Sequence, residues 1–142
     1  MTDSILSSGE LAADLFCEDL DRCVAFYRDT LGLTVEVLPD MGGDVIVHAG
    51  NGSKLGLHKS DRPSTNDHTA VSFLLEDTQG AIDYLRSKGV KLEDYEGLPG
   101  GMKTVDGVAT FGEHKISWFK DPGGNILCVS PRAVAQSSAK AA

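Results

Sequence analysis

The sequence predicts an α+β fold built from two tandem βαβββ modules that close around a cleft. Residues 10–59 and residues 68–131 each contain the same predicted order of strands with one helix. Apolar residues alternate in the predicted strands, whereas in the helices they recur every three or four positions. One module alone leaves a sheet face that it cannot bury, so the two are expected to pack together. We therefore expect the functional site where the modules meet.

The first module begins with a strand predicted at residues 11–18. Asp19 or Asp21 is placed to cap the following helix by accepting a backbone N–H. Apolar side chains recur at helical spacing through residues 20–31, and Gly32 is placed to end the helix. Three further strands are predicted, at residues 34–38, 44–49 and 54–58.

The second module repeats this order with a longer connection. A strand is predicted at residues 69–75, followed by a helix that Thr78 caps and Gly89 ends. The next strand is predicted at residues 90–95. Residues 97–113 are rich in glycine, have no counterpart in the first module and are predicted to form a long loop. Loops of this length are usually functional or mobile.

A β-hairpin at residues 114–131 completes the second module. Aromatic and β-branched residues, which favour strands, lie on both sides of the segment DPGGN at residues 121–125. Proline fixes φ near about −65° and glycine adopts a positive φ without steric penalty, so this segment predicts a sharp chain reversal.

Composition and charge exclude several classes of function. The 142 residues carry a net charge of −8, which disfavours binding to nucleic acid or to an anionic membrane surface. No apolar run is long enough to span a membrane, and the first residues lack the features of a signal peptide. The chain has an odd number of cysteines without CxxC spacing, a pattern typical of reduced thiols. They are Cys17, Cys23 and Cys128. We therefore predict a cytoplasmic protein.

Three segments fall outside the modules. Residues 1–9 are predicted as an N-terminal extension, and residues 60–67, rich in Pro, Ser, Asp and Asn, as the linker between modules. Residues 132–142 are predicted as a disordered tail because they are small and polar, with no pattern to bury.

Both modules carry sequence patterns of a known superfamily. DLDRCVAFYRDTLGL at residues 19–33, EDTQGAIDYLRSKGV at residues 76–90 and WFKDPGGNIL at residues 118–127 occur in the expected order. With these patterns the chain resembles the vicinal oxygen chelate superfamily over residues 10–131. That superfamily includes glyoxalase I, bleomycin-resistance proteins, extradiol dioxygenases and methylmalonyl-CoA epimerase. The resemblance implies paired βαβββ modules whose curved mixed sheets form a U-shaped cleft.

The resemblance also implies where a metal site would lie. Enzymes of the superfamily bind a divalent metal through His, Gln or Glu side chains on the first and fourth strands of each module. Three of the matching residues here have no ligand atom in their side chain, and a lone thiol suits a hard, oxygen-preferring ion poorly. The chain thus resembles the bleomycin-resistance-like branch, which implies ligand binding without a metal or other cofactor. The matching positions are Ala12, Gly56, Ala70 and Cys128.

Strand alternation places six candidate ligand-binding side chains on the cleft faces of the predicted sheets. They combine small, polar and aromatic character, as small-molecule pockets commonly do. Trp118 and Phe119 alternate, so we expect one ring in the cleft and the other against the helix layer. Tyr95 and Lys103 flank the predicted loop and could close over the cleft. The six candidates are Asp14, Phe16, His58, Ser72, Trp118 and Cys128.

Asp14 and His58 are also candidate catalytic residues, because an aspartate can orient a histidine for proton transfer. The alternative interpretation is that His58 is solvated at the end of its strand. A relocated metal site using His58, His68 and Asp14 is a further interpretation, although no metal-binding spacing supports it. Cys128 is either a reactive thiol or a small buried hydrophobic residue.

Three functions are consistent with these patterns. The first is a metal-independent protein that sequesters an antibiotic or related metabolite, with the acidic residues 93–96 and the net charge of −8 favouring a cationic ligand. The second is a lyase, isomerase or dioxygenase of the glyoxalase type, with a relocated metal or an acid–base pair of Asp14 and His58. The third is a regulatory or structural module with no small ligand. Because two-module superfamily members commonly dimerise, the resemblance also implies a homodimer.

Overall fold

The computed structural model describes residues 4–41 and 43–132. The chain forms two compact units, Met1–Arg62 and Pro63–Ala142. The predicted disordered tail lies outside the described residues, apart from Arg132. Arg132 Nη1 donates to Glu76 Oε1 over 2.9 Å, so the prediction of disorder is wrong for this residue.

The first unit is built on a four-stranded mixed sheet and an α-helix. Its elements are Ala13–Cys17 (β1), Leu20–Ala25 (α1) extended by a π-helical turn at Phe26–Thr30, Thr34–Leu38 (β2), Asp44–His48 (β3) and Lys54–Lys59 (β4). β2, β3 and β4 form an antiparallel meander, and β4 then pairs in parallel with β1. The strand order is therefore β1-β4-β3-β2.

Helix α1 begins where the sequence predicts it. Asp19 Oδ1 accepts a hydrogen bond from the backbone N–H of Arg22 over 3.1 Å, so Asp19 rather than Asp21 is the N-cap. Gly32 follows the helical segment with a φ of 73°, which glycine adopts without the penalty that a Cβ brings.

The second unit has the same strand arrangement with one added strand. Its elements are Thr69–Leu75 (β5), Thr78–Ser87 (α2), Thr104–Val105 (β6), Val108–Phe111 (β7), His114–Lys120 (β8) and Ile126–Pro131 (β9). The order is β5-β9-β8-β7-β6, with β5 parallel to β9 and the other pairs antiparallel. β5, β9, β8 and β7 thus correspond to β1, β4, β3 and β2. The prediction of an α+β fold with tandem βαβββ modules is confirmed.

Two predictions for the second unit are wrong. The strand predicted at residues 90–95 is absent, and β6 and β7 lie inside the predicted loop at residues 97–113. Asp106 (φ 52°) and Gly107 (φ 79°) reverse the chain between these two short strands. Since β7 pairs with β8, it takes the place that β2 has in the first unit.

The cap of α2 also differs from the prediction. Asp77 Oδ1 accepts from the backbone N–H of Gly80 over 2.8 Å, which makes Asp77 the N-cap and Thr78 the first helical residue. Gly89 follows the helix with a φ of 77°, as a terminating glycine does. No helix in the described part of the chain is long and apolar enough to cross a membrane.

The hairpin predicted at residues 114–131 forms, with β8 and β9 antiparallel. Asp121 Oδ1 accepts from the backbone N–H groups of Gly123 and Asn125, each over 2.9 Å, and so holds the turn closed. The carbonyl of Gly123 accepts from the backbone N–H of Ser64 over 2.8 Å. Part of the predicted linker therefore packs on this turn.

The prediction of reduced thiols is wrong for two of the three cysteines. Cys17 ends β1 and Cys23 lies in α1, and the structure joins these two fully buried residues in a disulfide. Their Cα atoms are 6.6 Å apart, within the range that a disulfide spans. The strand-to-helix turn brings the side chains together, which the spacing alone does not reveal. Cys128 is a free, buried cysteine.

Candidate functional site

Alternation along the strands gives the first sheet two different faces. Leu15, Val47 and Leu57 are buried on one face, as is Tyr27 of the helical segment. We call the other side the open face of the first sheet. Its central residues are Asp14, Phe16, Asp44, Gly56 and His58.

His58 joins two carboxylates on this open face. Its Nε2 lies 2.8 Å from Asp14 Oδ1, and its Nδ1 lies 3.0 Å from Asp44 Oδ1. A carboxylate accepts hydrogen bonds, so both ring nitrogens must donate, which requires the imidazolium form. The hydrogen bond to Asp14 is the main cause that raises the pKa of His58; partial burial opposes it, and Asp44 adds a smaller contribution. The bridge links β1, β4 and β3.

Gly56 makes room for this bridge. It pairs with Asp14 across β1 and β4. A Cβ at position 56 would lie 2.7 Å from Asp14 Oδ1 and 3.0 Å from His58 Nε2. A larger residue must therefore displace the Asp14–His58 hydrogen bond. Gly56 is also a position at which the resemblance implies a metal ligand, and here the absence of a side chain leaves room for a hydrogen bond between two neighbours.

Phe16 gives the open face an apolar surface beside these charges. Its ring centroid is 5.2 Å from that of His58, with 34° between the planes. The side chain is 52% exposed, which is high for a phenylalanine. An imidazolium next to an aromatic ring is a favourable cation–π arrangement. The open face thus presents an exposed aromatic ring next to two carboxylates.

The corresponding face of the second sheet has a different character. Ser72 lies beside Cys128, and Cys128 beside Trp118, in a row across β5, β9 and β8. Trp118 Nε1 donates to Thr69 Oγ1 over 3.0 Å. The ring of Tyr95 stands edge-on to that of Trp118, with centroids 5.8 Å apart. We call this the open face of the second sheet, and it groups the three binding residues predicted in this module.

Cys128 has the properties of a small buried group rather than a reactive thiol. Burial raises its pKa to about 11, against a smaller lowering by the hydrogen bond with Ser72. Because the thiolate is the nucleophile, a thiol that stays protonated at neutral pH reacts slowly. Nearby, Phe119 is buried whereas Trp118 is partly exposed, so the two rings take opposite sides of the sheet.

The residues at the superfamily's metal positions do not fit a divalent ion. Three of them offer no side-chain donor, and the fourth, a buried neutral thiol, must lose its proton to bind a metal. Of the relocated set, His58 in the first unit has both ring nitrogens facing carboxylates, and in the second unit the exposed His68 has its Nδ1 3.7 Å from Asp67 Oδ1. The four family positions are Ala12, Gly56, Ala70 and Cys128.

The strand patterns in the sequence do not reveal the part that Asp44 plays. This residue begins β3, and its neighbour Val45 pairs with Leu57, so Asp44 lies across from His58 on the same face. An acidic residue directly after a turn suggests a solvated strand end. The register of β3 and β4, set by the short turn at Gly50–Gly52, is the signal that could have placed it.

Comparison with known proteins identifies this architecture. The family model for the Glyoxalase/Bleomycin resistance protein/Dioxygenase superfamily matches residues 9–129. Comparison with curated protein sequences gave no significant match.

Solved structures show the same fold. A glyoxalase/dioxygenase from Nostoc punctiforme superposes with a TM-score of 0.65 at 13% identity, covering 92% of this chain and 96% of that one. A lactoylglutathione lyase from Agrobacterium tumefaciens gives 0.60 at 21% identity, covering 89% and 96%. A protein from the mobile metagenome of V. pseudocholerae gives 0.57 at 22% identity, covering 92% and 98%. The family match over most of the chain shows that this protein belongs to the glyoxalase/bleomycin resistance protein/dioxygenase superfamily.

Proposed function

We propose that this protein binds a small organic molecule without using a metal at the superfamily's ligand positions, and that it sequesters this molecule rather than converting it. The observation that carries the proposal is the Asp14–His58–Asp44 bridge, which is built around Gly56. The side chains that surround the family's metal position here bind one another. The residues left to contact a ligand are therefore carboxylates, aromatic rings and the aliphatic Ile46, which pairs with Gly56.

The first sheet favours a cationic, partly aromatic ligand. Asp14 and Asp44 each give one oxygen to His58, and their other oxygens take part in no hydrogen bond or ion pair within residues 4–41 and 43–132. Two carboxylates and one imidazolium leave a net negative charge on this face. The chain as a whole is also negative, with a net charge of −8, and would attract a cation. The exposed ring of Phe16 adds a surface on which an aromatic group can stack. An amphiphilic organic cation, such as an antibiotic with a basic group, matches these features.

In this proposal the open face of the second sheet is a candidate binding surface of its own. Ser72, Trp118 and Cys128 lie in one row on its open face. Trp118 provides a large partly exposed ring, and the neutral thiol of Cys128 provides a small apolar contact. This mixture of one large aromatic group and small neighbours is common in small-molecule sites.

An enzyme that uses Asp14 and His58 as an acid–base pair is the second candidate. The hydrogen bond of 2.8 Å between them favours it. However, His58 donates from both nitrogens, so it has no lone pair with which to accept a proton. Acting as a base would require one of the two hydrogen bonds to break. We therefore favour ligand binding over catalysis as the function.

Thermal unfolding with a panel of organic cations and their neutral isosteres tests the proposal. Protein treated with EDTA should be stabilised by one class of aromatic cation, by roughly 5–10 °C at a concentration about 100-fold above its Kd. Added zinc, nickel, manganese or iron should not increase this stabilisation. Mass spectrometry should recover the compound unchanged after incubation.

Substitutions on the open face locate the binding. Phe16→Ala should weaken binding of the cation about tenfold, because it removes the exposed ring. Val37→Ala is the matched control: Val37 is an exposed apolar residue of β2, but it pairs with the buried Val45 and lies on the other face. Stabilisation that needs an added metal, or conversion of the compound to a product, would instead support the enzyme.

A homodimer and a cytoplasmic location remain predictions. Light scattering checks the first, because a dimer has twice the chain mass of 15.1 kDa. A monomer at all concentrations tested would contradict the homodimer without affecting the proposed ligand.

A further inference from the structure

The open face of the second sheet contains a buried polar atom that its neighbours leave unpaired. Within the described residues, the Tyr95 hydroxyl oxygen is buried and has no hydrogen-bond partner. Leaving a hydroxyl buried in this way costs stability, because the group gives up water and gains nothing in return. Such a group calls for an explanation, and a bound molecule that completes the hydrogen bond is one.

The backbone of Tyr95 is held on both sides by hydrogen bonds. Its N–H donates to Thr104 Oγ1 over 2.7 Å, and its carbonyl accepts from the Thr104 N–H over 2.9 Å. Two residues earlier, the Glu93 N–H donates to the Trp118 carbonyl over 2.8 Å. The rings of Tyr95 and Trp118 then meet at 86°. The ring of Tyr95 therefore lies on the side of the sheet that carries the indole.

The surroundings of the hydroxyl select a neutral acceptor. Burial raises the pKa of Tyr95, and the charge of Glu93 raises it further, so the phenol stays protonated and able to donate. The Glu93 side chain is already paired with Lys91 over 3.8 Å and with Lys120 over 3.7 Å, and burial of the hydroxyl disfavours a charged partner. Trp118 Nε1 is already engaged by Thr69, and Cys128 carries a neutral thiol. The rest of this face therefore combines the Trp118 ring and the neutral thiol with the hydroxyl side chains of Thr69 and Ser72.

We infer that the Tyr95 hydroxyl donates a hydrogen bond to a neutral carbonyl group of the ligand, whose planar body packs against Trp118. This inference rests on the proposed binding function and adds the polar group that the second unit recognises. An aromatic ketone or amide satisfies both contacts.

Fluorescence titration with 9-fluorenone and fluorene tests the inference. These planar probes share one ring system and differ by a carbonyl in place of a methylene. Trp118 is the only tryptophan of the chain, so quenching of its emission reports binding at this face. One hydrogen bond should make the protein bind fluorenone about tenfold more tightly than fluorene.

Tyr95→Phe should lower the affinity for fluorenone about tenfold, to that of fluorene. The Tm of the free variant should be unchanged or higher, because the removed hydroxyl has no partner in the free protein. Tyr84→Phe, which changes an exposed tyrosine of α2, should leave the affinity for fluorenone unchanged.

Three results would overturn the inference while the proposed function stands. They are wild-type affinity of Tyr95→Phe for fluorenone, a lower Tm of that variant, and binding of the cation panel but of neither planar probe. A lower Tm would mean that the hydroxyl has a structural partner. If neither the probes nor the cation panel bind, the proposed function fails and the inference fails with it.

Discussion

The two units share a strand arrangement but present opposite chemistry on their open faces. In the first, β1, β4 and β3 are linked by a charged Asp14–His58–Asp44 bridge. In the second, the equivalent strands β5, β9 and β8 carry Ser72, Cys128 and Trp118, which are neutral. The repeated fold thus determines which strand positions lie on the open face of each sheet, whereas the individual residues determine what that face can bind.

The clearest difference lies at two equivalent positions of the central strands. Gly56 pairs with Asp14 in the first unit, and Cys128 pairs with Ser72 in the second. Without a side chain at position 56, the neighbouring Asp14 and His58 can approach each other. At position 128 a buried thiol fills the space instead. One small difference in size therefore accompanies a charged face in one unit and an apolar face in the other.

The largest expected difference in unfolding free energy comes from a covalent bond, the disulfide of the first unit. The Cys17–Cys23 disulfide closes a short loop in the first unit, whereas Cys128 of the second is a free thiol. A loop of this length contributes about 2 kcal/mol through the entropy of the unfolded chain. Cys23→Ala should therefore lower the free energy of unfolding in urea by at least about 2 kcal/mol in oxidised protein. Cys128→Ala should lower it by about 1 kcal/mol, with or without reductant.

Dithiothreitol should reduce the difference in unfolding free energy between wild type and Cys23→Ala by about 2 kcal/mol, because it opens the wild-type disulfide. The difference that remains comes from the loss of side-chain packing at position 23. Alkylation of the unfolded, unreduced protein followed by mass spectrometry counts the free thiols. One modified cysteine before reduction and three afterwards is the expected result. Three modified cysteines before reduction would contradict the disulfide.

The sequence predicts the strands better than it predicts their partners. β2 and β5 have the predicted bounds, because β-branched and apolar residues between turn signals identify a strand locally. β7 was missed because it is short and follows a glycine turn inside a segment without strong alternation. The Cys17–Cys23 pair was missed because its side chains meet only after β1 and α1 pack.

The same distinction applies to the candidate site. Alternation within a strand indicates which face Asp14, Phe16 and His58 share, and the structure places all three on one face. The role of Asp44 depends on the pairing of β3 with β4, which no single strand encodes. Tyr95 was expected beside a loop, but its buried hydroxyl depends on hydrogen bonds between distant segments. Sequence periodicity thus predicts which side chains share a face, but it does not predict which side chains of different strands come into contact.

The second expected difference between the units is a dependence on pH. The folded state raises the pKa of His58, so folding stabilises its protonated form. This stabilisation is fully present below the unfolded value of about 6.5 and is lost as the pH rises through the folded value. The difference in unfolding free energy between wild type and His58→Gln should therefore be largest at about pH 5–6, at roughly 1 kcal/mol.

Urea unfolding at several pH values measures this difference. His68→Gln is the matched control, because His68 is exposed in the second unit and lies between no pair of carboxylates among the described residues. Its difference from wild type should be small and should not follow the pattern of His58→Gln. A difference for His58→Gln that grows towards alkaline pH would contradict the imidazolium bridge.

The smallest expected change in stability comes from Gly56→Ala. This variant nevertheless tests most directly whether the glycine at position 56 gives the first unit its charged open face. The new Cβ would approach Asp14 Oδ1, and because the Asp14 side chain is 63% exposed it can move away at little cost. Alanine also reduces the conformational freedom of the unfolded chain, which offsets the lost hydrogen bond by about 0.5–1 kcal/mol. We therefore expect the free energy of unfolding to change by less than about 0.5 kcal/mol.

The titration of His58 should nevertheless change clearly. Its hydrogen bond to Asp14 is the largest cause of the raised pKa, so Gly56→Ala should move the pKa down towards 6.5. NMR of the histidine ring protons measures this, with Cys128→Ala as the control at the equivalent position of the second unit. If His58 titrates in Gly56→Ala as in wild type, the glycine has no part in maintaining the bridge. A lowered pKa with unchanged stability would show that position 56 sets the charge of the open face independently of the fold.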